Sequence, residues 1–420
     1  ASPVRRGRAP CGSASVTKPI VVLCMGGAGH VQTLLPLVSA LASRGCAVQV
    51  MTRDDFRDHV ERVGGRFVDL YARRPLEAAD ATSMPFPSRF VTFAATYAES
   101  LAEEIGALSP ALIVYDTFTV AGPVAARQLR VPYVNVCPNH APVPARMIEA
   151  LRRDPRVAIS VECRAAVRRL REVHGMSDAS PFSYYDALSP YLNVYAEPEE
   201  FLRPDERAAF EPIAFFGSLL PPASRGLPVV GAFPPGRYRE RVYVSFGTGV
   251  WRYFAKVAFA ALKAISDAFA ERDAAVLMSL GGSDARERVR GELERSNVRV
   301  VDYADQWAVL AEADVFITHH GINSTHEAIF HEVPMLSYPF FGDQPALARR
   351  CQELGLAVAL TAEPQTPVTP EALRATLRRV AEEGNRLAVR FAEARSWELR
   401  TIADRPAVLD RILALASSSG

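Results

Sequence analysis

The chain has 420 residues, 49% hydrophobic and 23% charged, which excludes a mainly disordered or collagen-like polymer and, at about 150 residues per domain, implies two or three folded units. Its 48 Lys and Arg against 47 Asp and Glu leave a net charge of +1, so no general field draws it to nucleic acid or an anionic membrane. The six cysteines, at 11, 24, 46, 137, 163 and 351, include no Cys-x-x-Cys pair and read as buried or free thiols in a reducing, cytoplasmic compartment. Residues 1–18 carry Arg5, Arg6 and Arg8 with no apolar stretch behind them, which is not a secretory signal and reads as a flexible leader. Apolar runs such as Ile20–Met25 are far shorter than the ~20 residues of a membrane span.

Ile20–Met25 has the continuous apolar pattern of a strand buried on both faces, and Gly26-Gly27-Ala28-Gly29 breaks it. A helix is predicted from about Val31 to Ser43, then a strand at Ala47–Met51, a helix at Asp54–Val63 and a strand at Phe67–Leu70. Arg89–Ile105 is helical, Ala111–Tyr115 a strand ending at Asp116, Val120–Leu129 a helix and Tyr133–Val136 a strand. The middle is less regular, and the Pro- and Gly-rich stretch from Phe216 to Gly236 rejects both helix and central strand. Alternation restarts with strands at Arg241–Phe246, Ala275–Leu280, Val298–Val301, Val315–Thr318 and Met335–Tyr338, with helices between. A last helix spans about Arg405–Ala416. The pattern implies an α/β fold of two doubly wound parallel-sheet domains facing a cleft. The expected division is a leader at 1–18, an N-terminal domain at 19–220, a linker at 221–240, a C-terminal domain at 241–400, and a terminal helix at 401–420 that can pack back on the first domain.

The densest chemistry lies where a strand ends at Thr318 and a helix opens near Gly321–Ser324. Free backbone N–H groups and the positive end of the helix dipole make such a start an anion site, to which His319, Asn323 and Ser324 can add donors. Glu327, one turn on, can chelate a vicinal diol such as a ribose. Asn and Ser also favour helix starts with no ligand at all, so their joint occurrence with His319, Glu327 and a later Asp343-Gln344 pair carries the weight.

That combination, from about Val301 to Gln344, resembles the donor signature of the UDP-glycosyltransferase family, which has the GT-B fold and includes plant secondary-metabolite and bacterial antibiotic glycosyltransferases. The resemblance extends to Ser245-Phe246-Gly247-Thr248, similar to the family's diphosphate-contacting loop. It implies that Ser245, Gly247, Thr248, His319, Gly321, Asn323 and Ser324 hold the diphosphate, and that Glu327 takes the ribose hydroxyls. Asp343 and Gln344 would take the transferred sugar, with Gln306 and Tyr303 beside the nucleobase. Where the family usually has Trp, this chain has Tyr303, whose ring still stacks on a pyrimidine; Ile322 stands where plant members carry Trp, which fits a bacterial type. The resemblance further implies that His30, after the first strand, is the general base and that Asp116 orients it.

Aromatic and apolar stretches at Met84–Phe93, Pro138–Met147 and Phe182–Tyr185 fall where the family walls its acceptor cleft, making Phe86, Phe90, Asn139, His140 and Met147 acceptor candidates. The expected activity is inverting transfer of a hexose from a UDP- or dTDP-sugar to a hydroxyl of a small, largely apolar natural product. No cofactor or metal is expected, His320, His326 and His331 having no metal-ligand spacing. The expected partners are a nucleotide sugar and a small acceptor, with no nucleic acid and no membrane span, for a monomer or homodimer. His59, His140 and His174 are expected on surfaces or loops. A nucleotide-sugar-binding protein or an epimerase on the same fold remains open. An NAD(P)-dependent oxidoreductase is weakened because Gly27-x-Gly29 lacks its third glycine at Gln32 and the second strand ends in Arg53 without an acid.

Overall fold

The computed structural model describes residues 18–76, 88–140, 143–220, 233–282 and 286–418. Most of the expected leader and linker, residues 1–17 and 221–232, therefore lies outside the described residues. The strands described form two sheets in which every pairing is parallel. The first holds β1 (Ile20–Leu23), β2 (Val48–Thr52), β3 (Arg66–Asp69), β4 (Leu112–Asp116), β5 (Tyr133–Cys137), β6 (Asn193–Tyr195) and β7 (Ile213–Phe215), in the order β3-β2-β1-β4-β5-β6-β7. The second holds β8 (Glu240–Ser245), β9 (Ala274–Ser279), β10 (Val298–Val301), β11 (Val315–Thr318), β12 (Met335–Ser337) and β13 (Ala357–Ala359), in the order β10-β9-β8-β11-β12-β13.

The apolar runs explain both layers. In β1, Val21 and Leu23 enter one core while Ile20 and Val22 enter the other, because successive side chains alternate across a sheet. Helices Arg89–Ala107 and Ala121–Leu129 cover the first face, and helix Ala28–Ser43 covers the second. A fully buried Leu or Val on these faces contributes about 1.5–3 kcal/mol.

Four strands have three residues each, too few to show a period: β12 coincides with the expected strand Met335–Tyr338, while β6, β7 and β13 went unrecognised in the sequence. The terminal helix is much longer than the predicted Arg405–Ala416, running Gly384–Ser417 through Pro406. Locally, Pro406 reads as a first-turn proline. Packing carries the helix through it: Leu387, Phe391 and Ala394 join the core of the second sheet, while Val408, Leu409, Ile412 and Ala416 join the core of the first. Buried Arg405 ties the helix to the end of the first domain, donating to the carbonyls of Phe216 and Leu219 at 2.8 Å each. Among the described residues no helix is long and apolar enough to cross a membrane.

Candidate active site

The strand order of a doubly wound sheet reverses at one point, and the strand ends there open into a crevice. In the first sheet that point lies between β1 and β4, and in the second between β8 and β11. His30 follows β1, Asp116 ends β4, Ser245 ends β8 and His319 follows β11. The candidate residues thus leave the four strands that flank the two reversals. The two sides touch: Asn323 donates to the Gly29 carbonyl at 3.1 Å and accepts from the Thr33 hydroxyl at 3.3 Å.

Gly26, at φ +82°, turns the chain out of β1 so close to β2 that a Cβ would stand 2.9 Å from Arg53 Cβ. This places His30 in the first turn of helix Ala28–Ser43, where its Nδ1 lies 3.3 Å from Asp116 Oδ1. Asp116 is fully buried and well satisfied. Oδ1 also accepts from Phe118 N at 2.8 Å, and Oδ2 accepts from Met25 N at 2.7 Å and the Thr119 hydroxyl at 2.8 Å. Burial pushes this carboxyl up, but the His30 bond and charge, with the Met25 and Thr119 donors, hold it below the usual carboxylate value. Asp116 therefore stays ionised and directs the far imidazole nitrogen of His30 away from itself. The ring of Phe118 lies 4.6 Å from that of His30, and Tyr184 and Tyr185 each stand 5.6 Å from Phe118.

On the other side, His319 is gripped between two glycines. A Cβ on Gly247, itself at φ +70°, would approach His319 Nε2 to 2.5 Å, and one on Gly321 to 2.6 Å. Burial holds the imidazole down to about 4, so His319 is neutral at pH 7 and offers an N–H or a lone pair, not a positive charge. His320, in a left-handed conformation at φ +60°, bonds Thr325 and Ser337 at 3.2 and 2.7 Å and thereby fixes the turn behind it. Helix Ile322–Phe330 starts at Gly321 without a side-chain cap.

Gln306, Ser324 and Glu327 come together: the Gln306 amide donates to Ser324 Oγ at 3.2 Å and to Glu327 Oε2 at 2.7 Å. Tyr303 is 46% exposed, and Ser245 Oγ accepts from Gly247 N at 3.4 Å beside the exposed Thr248. Asp343 Oδ2 accepts from the His140 backbone N–H at 3.1 Å, and burial pushes its carboxyl up. Gln344 turns inward, its carbonyl oxygen accepting from Phe340 N at 2.9 Å and Phe341 N at 3.3 Å. Among the described residues no three His, Cys, Asp or Glu gather as a metal site.

The acceptor candidates separate. Phe86 lies outside the described residues. Phe90 is a core residue on helix Arg89–Ala107, and Met147 packs partly buried against that core. Asn139 and His140 are buried in the turn after β5. His140 and His174 stand in loops, one of the two places expected, but are buried there: Glu197 holds His140 at 2.7 Å and Gln128 holds His174 at 2.7 Å. His59 is half-buried. Glu197 and Glu398 are not among the residues expected from the sequence, and His326 enters there only as a histidine without metal-ligand spacing. An acid directly after a strand, as at Tyr195-Ala196-Glu197, was the available signal, but β6 was too short to be seen.

The profile of the family described as UDP-glucoronosyl and UDP-glucosyl transferase matches residues 239–385. The chain is 26% identical over 367 residues to "NDP-glycosyltransferase YjiC" of Bacillus subtilis (strain 168), covering 84% of this chain and 87% of that one. It is 26% identical over 441 residues to "Oleandomycin glycosyltransferase" of Streptomyces antibioticus, covering 93% and 95%. Among solved structures, the glycotransferase of kitacinnamycin superposes with a TM-score of 0.75 at 23% identity, over 94% of this chain and 99% of that one. This last likeness concerns the fold, two facing parallel α/β domains of the GT-B type.

Proposed function

From the premise that the chain is a glycosyltransferase belonging to the UDP-glucuronosyl and UDP-glucosyl transferase family, we propose that it transfers a hexose from a UDP- or dTDP-sugar to a hydroxyl of a small apolar natural product, with inversion. The observation that carries this reading is the pairing of His30 with buried Asp116 at one sheet reversal, directly across from the His319–Glu327 helix start at the other. The acceptor O–H gives its proton to His30 Nε2, Nδ1 being taken by Asp116. The acceptor oxygen then bonds to the anomeric carbon as the bond from that carbon to the diphosphate oxygen breaks. Charge developing on the leaving diphosphate meets the N–H groups at Gly321–Ser324, the neutral His319 and the Ser245–Thr248 loop. Glu327 takes the ribose hydroxyls, Asp343 the sugar hydroxyls, and Tyr303 and Gln306 flank the base. Gln306 bridges Ser324 and Glu327, which keeps the side chains assigned to the base, the diphosphate and the ribose side by side.

The ring of Phe118 beside His30, backed by the buried Tyr184 and Tyr185, supports an apolar acceptor, and the name of the oleandomycin relative agrees with a natural product as acceptor. Calorimetry with UDP, dTDP and NADPH tests the donor assignment. Saturable binding of one diphosphate without NADPH supports it and selects the carrier. NADPH binding without either diphosphate overturns it. Transfer to a panel of hydroxylated aromatic acceptors, unaffected by EDTA, completes the test.

A further inference from the structure

Four buried ionisable side chains form one continuous path through the middle of the molecule. His140 Nδ1 meets Glu197 Oε2 at 2.7 Å, Glu197 Oε1 meets His326 Nε2 at 3.0 Å, and His326 Nδ1 meets Glu398 Oε1 at 2.5 Å. None is more than 2% exposed. They come from four places: the turn after β5, the segment after β6, the helix Ile322–Phe330 and the helix Gly384–Ser417. Phe201 closes one side, its ring 4.7 Å from that of His326.

Stability alone is a poor reason for such a path. Apolar residues of the same volume are often as stabilising as a buried ion pair, because desolvation offsets the Coulomb attraction. The two groups on either side of Glu197 suggest another reason. His140 is the residue whose backbone N–H meets Asp343 at 3.1 Å. His326 lies on the helix that also carries Asn323, Ser324 and Glu327. One carboxylate oxygen of Glu197 thus holds the turn that touches Asp343, and the other holds the helix of the anion site.

We propose that Glu197 is a positioning residue for the donor: by holding His140 and His326 at once, it sets the spacing between the sugar end and the diphosphate end of the nucleotide-sugar site. This rests on the assignment of Asp343 to the transferred sugar and of the helix start to the diphosphate. With His140 fixed, Oδ2 of Asp343 is occupied and Oδ1 faces the sugar in one orientation. With His140 released, Asp343 turns and the sugar hydroxyls lose a fixed acceptor. The helix start keeps its place, because Glu398 still holds His326.

The test is the Kd of UDP, dTDP, UDP-glucose and dTDP-glucose for the wild type and for Glu197→Gln, His140→Leu and Glu200→Gln. Glu200 lies on the same segment, accepts from Arg400 at 2.5 Å and, among the described residues, makes no hydrogen bond or ion pair to any of the four. In Glu197→Gln and His140→Leu the sugar nucleotide is expected to bind about tenfold more weakly, while the free diphosphate stays within about twofold. The KM for the sugar nucleotide rises with its Kd, while kcat falls less. Glu200→Gln matches the wild type throughout. Equal weakening of diphosphate and sugar nucleotide, or of neither, overturns the proposal. If Glu197→Gln does not fold, His140→Leu, which leaves the Glu197–His326–Glu398 stretch intact, decides by the same criterion. A wild type that binds no diphosphate overturns the donor reading itself and this assignment with it.

Discussion

Replacing Asp116 by Asn keeps the shape of the side chain and removes its charge. In the native site each carboxylate oxygen meets two groups: Oδ1 meets Phe118 N and His30 Nδ1, and Oδ2 meets Met25 N and Thr119 Oγ. An amide has one acceptor oxygen, so its NH2 must face the N–H of either Met25 or Phe118. One buried donor left without an acceptor costs about 1–3 kcal/mol, and at this domain size each kcal/mol lowers Tm by about 2–4 °C. The rate falls for a separate reason. A carboxylate 3.3 Å from an imidazolium is worth about 5 kcal/mol at an effective dielectric constant of about 20. His30 is 17% exposed, and in the proposed mechanism its charge is only partly formed in the transition state. Half that value, about 2.5 kcal/mol, corresponds to a loss of about 10²-fold in kcat. Asp116 belongs to the sheet opposite the proposed diphosphate site, so Kd for UDP or dTDP should not change. Release of nucleoside diphosphate in the presence of hydroxylated aromatic acceptors gives the rate, and calorimetry gives the Kd. A variant whose Tm falls while kcat stays within about threefold would show Asp116 to be a folding residue only, and the base assignment of His30 would lose its support.

His319→Ala should weaken UDP or dTDP binding by about tenfold. Because the wild-type imidazole is held down to about 4, its contribution should be flat between about pH 6.5 and 8.5; a bell-shaped Kd profile lost in the variant would contradict its neutrality. Gly247→Ala places a Cβ 2.5 Å from His319 Nε2 at φ +70° and should weaken diphosphate binding at least as much. Gly282→Ala has a similar φ of +79° with open space around its Cβ, and should show the backbone cost of about 1–2 kcal/mol in Tm without the binding loss. The buried path should also shape stability against pH. The His326 pKa is raised to about 10: burial lowers it, but Glu398 and Glu197 outweigh that. Its contribution is therefore full below the ordinary His value and lost as pH rises through about 10. The Glu197 pKa is lowered to about 2 by His140 and His326, against burial, so its contribution is full above the ordinary Glu value and lost as pH falls towards about 2. Wild-type Tm should therefore decline above about pH 6.5, and His326→Gln should flatten that alkaline limb; identical slopes would mean that His326 is not charged in the folded protein.

Much of the architecture was legible because the central strands β1, β4, β8 and β11 are buried on both faces and so are written as unbroken apolar runs. The candidate residues stood out for a related reason: they stand directly after those runs, where a turn exposes backbone donors whatever the rest of the chain does. His30, Asp116, Ser245 and His319 are of this kind. Strands β6, β7 and β13 were not: three residues display no period, and these three lie in or beyond the less regular stretches where no alternation marks them; neither was the full helix Gly384–Ser417, since Pro406 locally signals a beginning. Phe90 shows the limit from the other side, an aromatic residue in a cleft-like stretch that the packing puts in the core.

Pairings between distant segments carry no local pattern at all. The sequence by itself determined two parallel α/β units and the residue types at the ends of their central strands, because burial on both faces and exposed helix starts are local consequences of composition. Only the tertiary structure decided that Asn323 meets Gly29 and Thr33, that Glu197 stands between His140 and His326, and that one terminal helix packs into both cores. The Asn323–Gly29 contact joins residues 294 positions apart, and it and the Glu197–His326 contact form only when two independently patterned sheets are set against each other.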